Sequence, residues 1–277
     1  MNPVKNKNKR NISVTVDDFR QMGVIAQNEL RKFIRGRKIL LYVLLIGLIV
    51  SLNIGFLVYY PDVLESLTGT IDKQDMMLSM YGGSLPFLIL IGAVLFASYT
   101  IVSEFEERTY LLLFTRPIKK TSIFVGKFLA CYFIVMVMTL AYYGIYAGHS
   151  FIVTGAVSSK IGLSLLVALF DVFALTSLAM LFSTITKKGS VSALMTFFVV
   201  IMVPTILLTL LMFKDPTYSM NTGYQLEHYW YLINVAESVI YDVATADISL
   251  SKPILSLFLW GIVPLVTSWV VFIKKEV

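Results

Sequence analysis

Long apolar segments alternate with short polar ones along most of the chain. About 20 apolar residues suffice to cross a bilayer as a helix. Six segments reach that length, at residues 39–60, 83–102, 123–148, 161–185, 191–213 and 253–273. The pattern predicts an all-α integral membrane protein with six transmembrane helices in a domain over residues 39–277, after a polar segment over residues 1–38.

The polar segment 1–38 carries a different helical pattern. From Asp17 to Lys38, apolar residues recur at steps of three and four, and basic residues fill the opposite face. The apolar positions are Phe19, Met22, Ala26, Leu30, Phe33 and Ile34. This pattern predicts an amphipathic helix that lies on the membrane surface and leads into the first span. A plain basic anchor is the alternative.

Composition and charge support the membrane interpretation and orient the chain. Of all residues, 57% are hydrophobic and 14% are charged, whereas soluble domains have about 25% charged residues. Nineteen of the 23 lysines and arginines fall on one side of the six predicted spans, at 1–38, 103–127, 187–188 and 274–275. The positive-inside rule places these segments and both termini in the cytoplasm. The net charge of +6 therefore indicates a membrane surface and not nucleic acid.

The predicted cytoplasmic loop over residues 103–122 is unusually rich in charge. It reads S-E-F-E-E-R-T-Y-L-L-L-F-T-R-P-I-K-K-T-S. Its apolar stretch, Tyr110–Phe114, is too short to span and predicts a short surface helix that ends before Pro117. Exposed charges on such a helix could dock a soluble partner. The alternative is a solvated loop that only sets topology.

This loop and the residues after it resemble the signature of ABC-2 type transporter permeases. In that family a loop of the form E-R-E-x-G-T-L is followed by a T/S-x-P-[VI] block and a Gly-Lys pair, which here is Gly126-Lys127. Arg108 stands where the family usually has glycine. The resemblance implies an exporter fold of the type V kind, in which the loop forms a coupling helix between the second and third spans.

The resemblance also implies partners. The coupling helix inserts into a separate ABC ATP-binding subunit. Two such subunits join two permease chains, here expected to be identical, in a prokaryotic cell membrane. ATP and Mg are bound by the ATPase, and no cofactor is expected in this chain. The implied function is ATP-driven export of an unidentified substrate. An ATP-independent channel or carrier, and a membrane anchor that recruits a cytoplasmic complex, are the alternatives.

Two sets of candidate site residues follow. The residues expected to couple to the ATPase are Glu104, Glu106, Glu107, Arg108, Thr109, Arg116 and Pro117. Asp171, near the middle of the fourth span, and Asn53, in the first span, are candidates for the translocation pathway. An intramembrane carboxylate costs about 2.5–3.5 kcal/mol, so it usually faces a cavity or a partner. Asp171 therefore either serves a path or gate, or holds helices together.

Motifs for catalysis or metal binding are missing from the sequence. It has no G-x-x-x-x-G-K-[ST] phosphate loop and no H-E-x-x-H or G-x-S-x-G motif. The chain is thus not expected to be an enzyme by itself. His149 and His228, with Met76, Met77 and Met80, suggest copper handling only weakly, and packing is the favoured interpretation. The long segment 214–252 is predicted to be a surface or re-entrant helix, or a folded outer loop.

Overall fold

The structure is a computed structural model that describes residues 16–59, 72–107, 119–203, 206 and 251–274. Within those ranges every regular element is a helix. The helices are α1 (Val16–Arg35), α2 (Arg37–Tyr59), α3 (Lys73–Thr100), α4 (Val102–Glu106), α5 (Lys120–Thr154), α6 (Ile161–Ile185), α7 (Gly189–Phe197, continued by a π-helical stretch over Phe198–Met202) and α8 (Ser251–Lys274). Helix α3 begins before the predicted second span and ends two residues short of its predicted limit, and α5 extends past both predicted limits of the third span.

Five helical segments are long and apolar enough to cross a membrane: α2, α3 with α4, α5, α6 and α8. The stretch Gly189–Met202 is a shorter apolar helix. The predicted all-α membrane architecture is thus confirmed. The count of six spans stays a prediction, because most of 204–213 lies outside the described residues, as do residues 214–250 of the predicted outer segment.

Helix α6 lies at the centre of the bundle, against α3, α5 and α8. Its buried face is rich in small side chains, among them Ala168, Ala174 and Ala179, which let neighbouring helices approach closely. Helix α2 is peripheral and buries only a narrow stripe, which includes Tyr42 and Ile46. Its other faces are apolar and exposed, as expected of a helix whose surroundings are lipid.

Helix α1 confirms the amphipathic helix predicted from the sequence. Its apolar positions divide between two environments. Phe33 is buried against the bundle, with its ring 5.1 Å from that of Phe96. Phe19 and Ile34 are exposed, which suits contact with a membrane surface. The helix therefore presents apolar residues in two directions, one toward the protein and one away from it.

At the end of α3 and α5 far from the loop, neutral hydrogen bonds join the two helices. The Tyr81 hydroxyl lies 2.8 Å from His149 Nδ1. The Tyr142 hydroxyl donates to the Tyr81 carbonyl (3.0 Å) and lies 2.7 Å from Ser84 Oγ. The Tyr146 hydroxyl donates to the carbonyl of Gln74 (3.2 Å). We call Tyr81, Ser84, Tyr142, Tyr146 and His149 the tyrosine cluster.

The tyrosine cluster accounts for the one described histidine. In the part of the chain that the structure describes, no three His, Cys, Asp or Glu side chains come together as metal ligands. Met77 is fully buried, consistent with packing. His228 lies outside the described residues. Farther along the same end of the bundle, Asp75 accepts a hydrogen bond from Ser158 Oγ (2.6 Å), and Lys160 Nζ lies 3.7 Å away from its carboxylate.

Candidate functional site

A buried lysine organises the loop end of the bundle. Lys127 lies two turns into α5, and its side chain is only 2% exposed. Its ammonium donates to Glu29 Oε1 on α1 (2.6 Å) and to Glu104 Oε1 on α4 (2.8 Å). It also lies 3.4 Å from the Thr100 carbonyl. A charge this deep is tolerated only when it is paired and hydrogen-bonded, so Lys127 ties three elements together.

The glycine before this lysine lets α1 approach. A Cβ atom at Gly126 would lie 2.9 Å from Ile25 Cβ and 2.9 Å from the Met22 carbonyl oxygen. Carbon atoms in contact normally stay about 3.5–4.0 Å apart, so no larger residue fits without moving α1. Glu29 lies one helical turn beyond Ile25 and therefore meets Lys127. The Gly126-Lys127 pair acts as one unit that seats and fastens α1.

The break between α3 and α4 is held by α6. The backbone N–H groups of Ile101 and Val102 both donate to Ser183 Oγ, at 3.0 and 3.1 Å. Ser183 is fully buried. Because one hydroxyl accepts two backbone donors, the junction at Ile101 is fixed relative to α6. This fixes α4, and Glu104 with it, opposite Lys127.

Helix α4 leads into segment 108–118, and we call it the stem of that segment. Glu106 joins this stem to α7. Its Oε2 accepts a hydrogen bond from the backbone N–H of Gly189, the first residue of α7, at 3.3 Å. A carboxylate is favourable there because the N-terminus of a helix carries partial positive charge. A Cβ atom at Gly189 would lie 2.3 Å from a ring carbon of Tyr99. The Lys38 ammonium lies 4.1 Å from the centroid of the same ring, so α2, α3 and α7 also meet here.

The described structure resumes at Lys119, after segment 108–118, and the residues there also contact neighbouring helices. Lys119, just before α5, donates from Nζ to Asp18 Oδ2 of α1 at 2.7 Å. Lys120 Nζ lies 3.5 Å from the Ile273 carbonyl in α8. Both ends of segment 108–118 are therefore attached to neighbouring helices. We call the connected set the charged joint: Asp18, Glu29, Lys38, Tyr99, Thr100, Glu104, Glu106, Lys119, Gly126, Lys127, Ser183 and Gly189.

The structure places only some of the predicted coupling residues. Glu104 and Glu106 belong to the charged joint, and Glu107 is exposed at the end of the described stem. Outside the described residues lie Arg108, Thr109, Arg116 and Pro117. The docking role of all these residues stays a prediction. Glu104 is largely buried, with 13% of its side chain exposed.

The two predicted pathway residues lie away from the joint and from each other. Asp171 is fully buried in α6. Asn53 donates from Nδ2 to the Ile49 carbonyl of its own helix at 2.9 Å, a bond that needs no neighbouring helix. Their roles in translocation stay predictions.

Several members of the joint were not predicted from the sequence. Glu29, Asp18, Ser183 and Gly189 became visible only once the helices were packed. One signal was available: Glu29 is the single glutamate of α1. A lysine inside an apolar run needs an ion-pair partner, and this need is the physical reason to look for a carboxylate on a neighbouring helix.

Residues 23–277 match the model of the ABC-2 family transporter proteins. The chain belongs to this family. It is a multi-pass membrane permease of an ABC transporter, a transport component that is not itself catalytic. Permeases of the ABC-2 family generally work with an ABC ATP-binding subunit. A comparison with curated proteins gives no match. The matched range includes Glu29, Glu104 and Lys127.

Proposed function

We propose that this ABC-2 permease is the membrane subunit of an ATP-driven exporter and that segment 108–118 docks on a separate ATPase that binds ATP and Mg. The observation that carries the proposal is the anchorage of this segment at both ends. Its first end continues from α4, which is held through Glu104 and Glu106. Its second end is held through Lys119. A loop that only set topology would need neither attachment.

The charged joint connects segment 108–118 to several helices, so a displacement of this segment can be transmitted to each of them. Force on α4 reaches α6 through Ser183 and α7 through Glu106. Force on the other end acts directly on α5, which continues from Lys119. An ATPase can shift the permease only by binding its two conformations with different affinity. A docking segment rigidly joined to several spans makes such a difference possible.

The predicted coupling residues divide into two roles in this proposal. Glu107 is exposed and, with Arg108, Thr109, Arg116 and Pro117, forms the docking surface. Glu104 and Glu106 position that surface through the joint, and Glu106 is exposed enough to contact the ATPase as well. This division predicts that changes at Arg108 and Arg116 weaken docking, whereas changes at Glu104 disturb the fold of the joint.

The assembly that we propose contains two identical permease chains and two ATPases, in a prokaryotic cell membrane with both termini cytoplasmic. The exposed apolar face of α2 is available to a second copy as well as to lipid; it includes Leu44, Leu48 and Leu52. We assign Asp171 to the path or its gate because a buried intramembrane carboxylate is expensive to keep without a role. Asn53 is the weaker candidate of the two.

The test is a pull-down of the tagged chain from its native membrane in mild detergent. Wild type is compared with Arg108→Ala/Arg116→Ala and with a charge-matched control, Lys187→Ala/Lys188→Ala, whose two lysines are exposed between α6 and α7. Proteins that co-purify are assayed for Mg-dependent ATP hydrolysis. We expect an ATPase with wild type and control, and its loss from the Arg108→Ala/Arg116→Ala variant.

The outcome separates the alternatives. If folded wild-type chain brings down no ATPase, the exporter proposal is wrong, and a channel or carrier takes its place. If a cytoplasmic complex without ATPase activity follows segment 108–118 instead, the chain is a recruiting anchor. If the ATPase stays with the Arg108→Ala/Arg116→Ala variant, docking occurs elsewhere.

A further inference from the structure

Helix α1 is attached to the bundle more firmly than a surface anchor requires. A helix that only lies on a membrane directs its apolar face to lipid and its charged face to water. Its basic residues Arg20, Arg31, Lys32 and Arg35 follow that rule and are exposed. Glu29 does not, because its carboxylate is turned inward to the buried Lys127. The only glutamate of α1 is therefore used for attachment to the protein.

We propose that the Glu29–Lys127–Glu104 triad is a latch that fastens α1 to the stem of segment 108–118, so that α1 moves with α5 during the transport cycle. The inference rests on the proposed function for the motion, and on the structure alone for the attachment. It makes Lys127 a positioning residue for coupling. It also gives α1 a mechanical role in place of a passive one.

Three contacts spread along α1 make the attachment rigid. Asp18 pairs with Lys119 near the start of the helix. The Gly126 contact holds the middle of α1 at Ile25, where no gap for a methyl group exists. Glu29 pairs with Lys127 one turn later. Lys119 is 54% exposed, so its pair with Asp18 is weaker than the buried pair of Lys127 with Glu29.

The triad has one lysine and two carboxylates, so the loss of each residue is expected to have a different effect. A single carboxylate is enough to pair with a buried lysine, yet Lys127 holds two, from two different elements. Loss of either Glu29 or Glu104 leaves one intact pair. Loss of Lys127 leaves two carboxylates close together, and like charges at one site repel each other. Removal of Lys127 therefore takes the partner of both carboxylates away at once and leaves them beside each other, whereas removal of Glu29 leaves the pair of Lys127 with Glu104 in place.

Motion of α1 is transmitted directly to the first span, α2. Only Gly36 separates the end of α1 at Arg35 from the start of α2 at Arg37. A Cβ atom at this position would lie 3.1 Å from the Lys32 carbonyl oxygen. Displacement of α1 is passed to α2 across this single residue. The latch thus links segment 108–118 to a span that otherwise contacts the bundle along a narrow stripe.

The experiment measures distances between spin labels in the chain with its co-purified ATPase, without nucleotide and trapped with ATP and vanadate. One label pair, Phe19→Cys with Val137→Cys, crosses from α1 to α5. A second pair, Phe19→Cys with Leu259→Cys, crosses from α1 to α8. All three positions are exposed. Cys131 is fully buried and does not compete for the label.

In wild type we expect the α1–α5 distance to be the same in both states, while the α1–α8 distance changes. Lys127→Gln should broaden the α1–α5 distribution and abolish the nucleotide-dependent change between α1 and α8. The variant Glu29→Lys/Lys127→Glu/Glu104→Gln reverses the ion pair between α1 and α5 without leaving a second carboxylate beside position 127, and it should restore both. Restoration of the nucleotide response distinguishes a latch from a residue that is needed only for folding.

A second pair of variants tests the attachment of α1 without a change in any charged residue. Gly126→Ala adds one methyl group where α1 crosses, whereas Gly144→Ala adds it on the same helix where no atom lies within 4 Å. We expect only Gly126→Ala to broaden the α1–α5 distribution. This pair of variants keeps the test available if Lys127→Gln does not fold.

Two results would overturn the latch: an α1–α5 distance that changes with nucleotide as much as the α1–α8 distance, or an unaltered distribution in both Lys127→Gln and Gly126→Ala. The broadening is also measured in the permease alone. If it occurs there but no ATPase co-purifies, the attachment of α1 is supported and the proposed exporter function is what fails.

Discussion

The two ends of the α3–α5 pair are joined by different chemistry. At the tyrosine cluster, the hydroxyls of Tyr81, Tyr142 and Tyr146 make neutral hydrogen bonds between two helices. At the charged joint, the ammonium of Lys127 pairs with carboxylates from two further elements. The tyrosine cluster thus acts as a clamp between two neighbouring helices, and we refer to it below as the clamp. The second arrangement joins several helix ends beside Glu107 and Lys119, the described residues that flank segment 108–118.

The energies of the two arrangements differ as well. Hydrogen bonds between membrane helices average about 0.6 kcal/mol, whereas removal of one partner from a buried ion pair costs about 3–5 kcal/mol. The tyrosine cluster can lose a bond and keep its geometry. The charged joint cannot lose Lys127 without rearrangement. We infer that the permease is tolerant at the clamp and sensitive where the docking segment enters.

Lys127→Met should have the largest effect on stability. It removes the cation and leaves Glu29 and Glu104 partly buried beside each other, so we expect a loss of about 3–5 kcal/mol. Thermal and denaturant unfolding of the chain in detergent measures this loss. Lys187→Met is the matched control, since its side chain is exposed, and should change stability by less than about 0.5 kcal/mol. Equal losses in the two variants would contradict the contrast between the ends.

Gly189→Ala should come next. Alanine normally stabilises a helical position relative to glycine by roughly 0.5–1 kcal/mol. At Gly189, however, the new methyl group would meet the ring of Tyr99 at 2.3 Å, so we expect a net loss of about 1–3 kcal/mol from overpacking. Gly162→Ala, in the first turn of α6, meets nothing within 4 Å and should be stabilising. Opposite signs in the same unfolding assay support the close contact, and equal signs contradict it.

The membrane architecture was predictable because it depends on local composition. A run of about 20 apolar residues predicts a span without any knowledge of the helices that pack against it. The amphipathic spacing of α1 is equally a local property of the sequence. The start of α3 at Lys73 was not predictable in this way. Its first turns are polar and are kept helical by partners such as Ser158, which reaches Asp75 from the connection between α5 and α6.

The candidate site was predictable only in part for the same reason. The charge pattern drew attention to Glu104 and Glu106, but it could not show what each carboxylate contacts. Glu29 and Lys127 are 98 positions apart, and their pairing follows from the crossing of α1 over Gly126. Such contacts depend on helix packing, which single-sequence periodicity does not encode.

Tyr81→Phe tests the clamp. The change removes the hydroxyl that bonds to His149 and keeps the ring and the backbone carbonyl that Tyr142 uses. We expect a loss of about 0.5–1.5 kcal/mol in the unfolding assay. The ATPase rate of the permease–ATPase complex should stay at the wild-type level, because the tyrosine cluster lies at the ends of α3 and α5 opposite to Thr100 and Lys120. If Tyr81→Phe also lowers that rate, the two ends do not differ in function.

Glu106→Gln should give the smallest change in stability and the clearest separation of stability from coupling. Glutamine keeps the oxygen that accepts from the Gly189 N–H and removes only the negative charge, so the loss is limited to the helix-terminus interaction, about 0.3–1 kcal/mol. In our proposal this link between α4 and α7 carries motion, and the link is weaker once the negative charge at the helix N-terminus is gone. The ATPase rate of the complex should therefore fall more than the stability loss explains, whereas Tyr81→Phe, at a similar stability cost, should leave it unchanged. A Glu106→Gln complex with wild-type turnover would show that α7 receives its motion by another route, and would restrict the coupling function of the joint to Glu104, Lys127 and the helices that they connect.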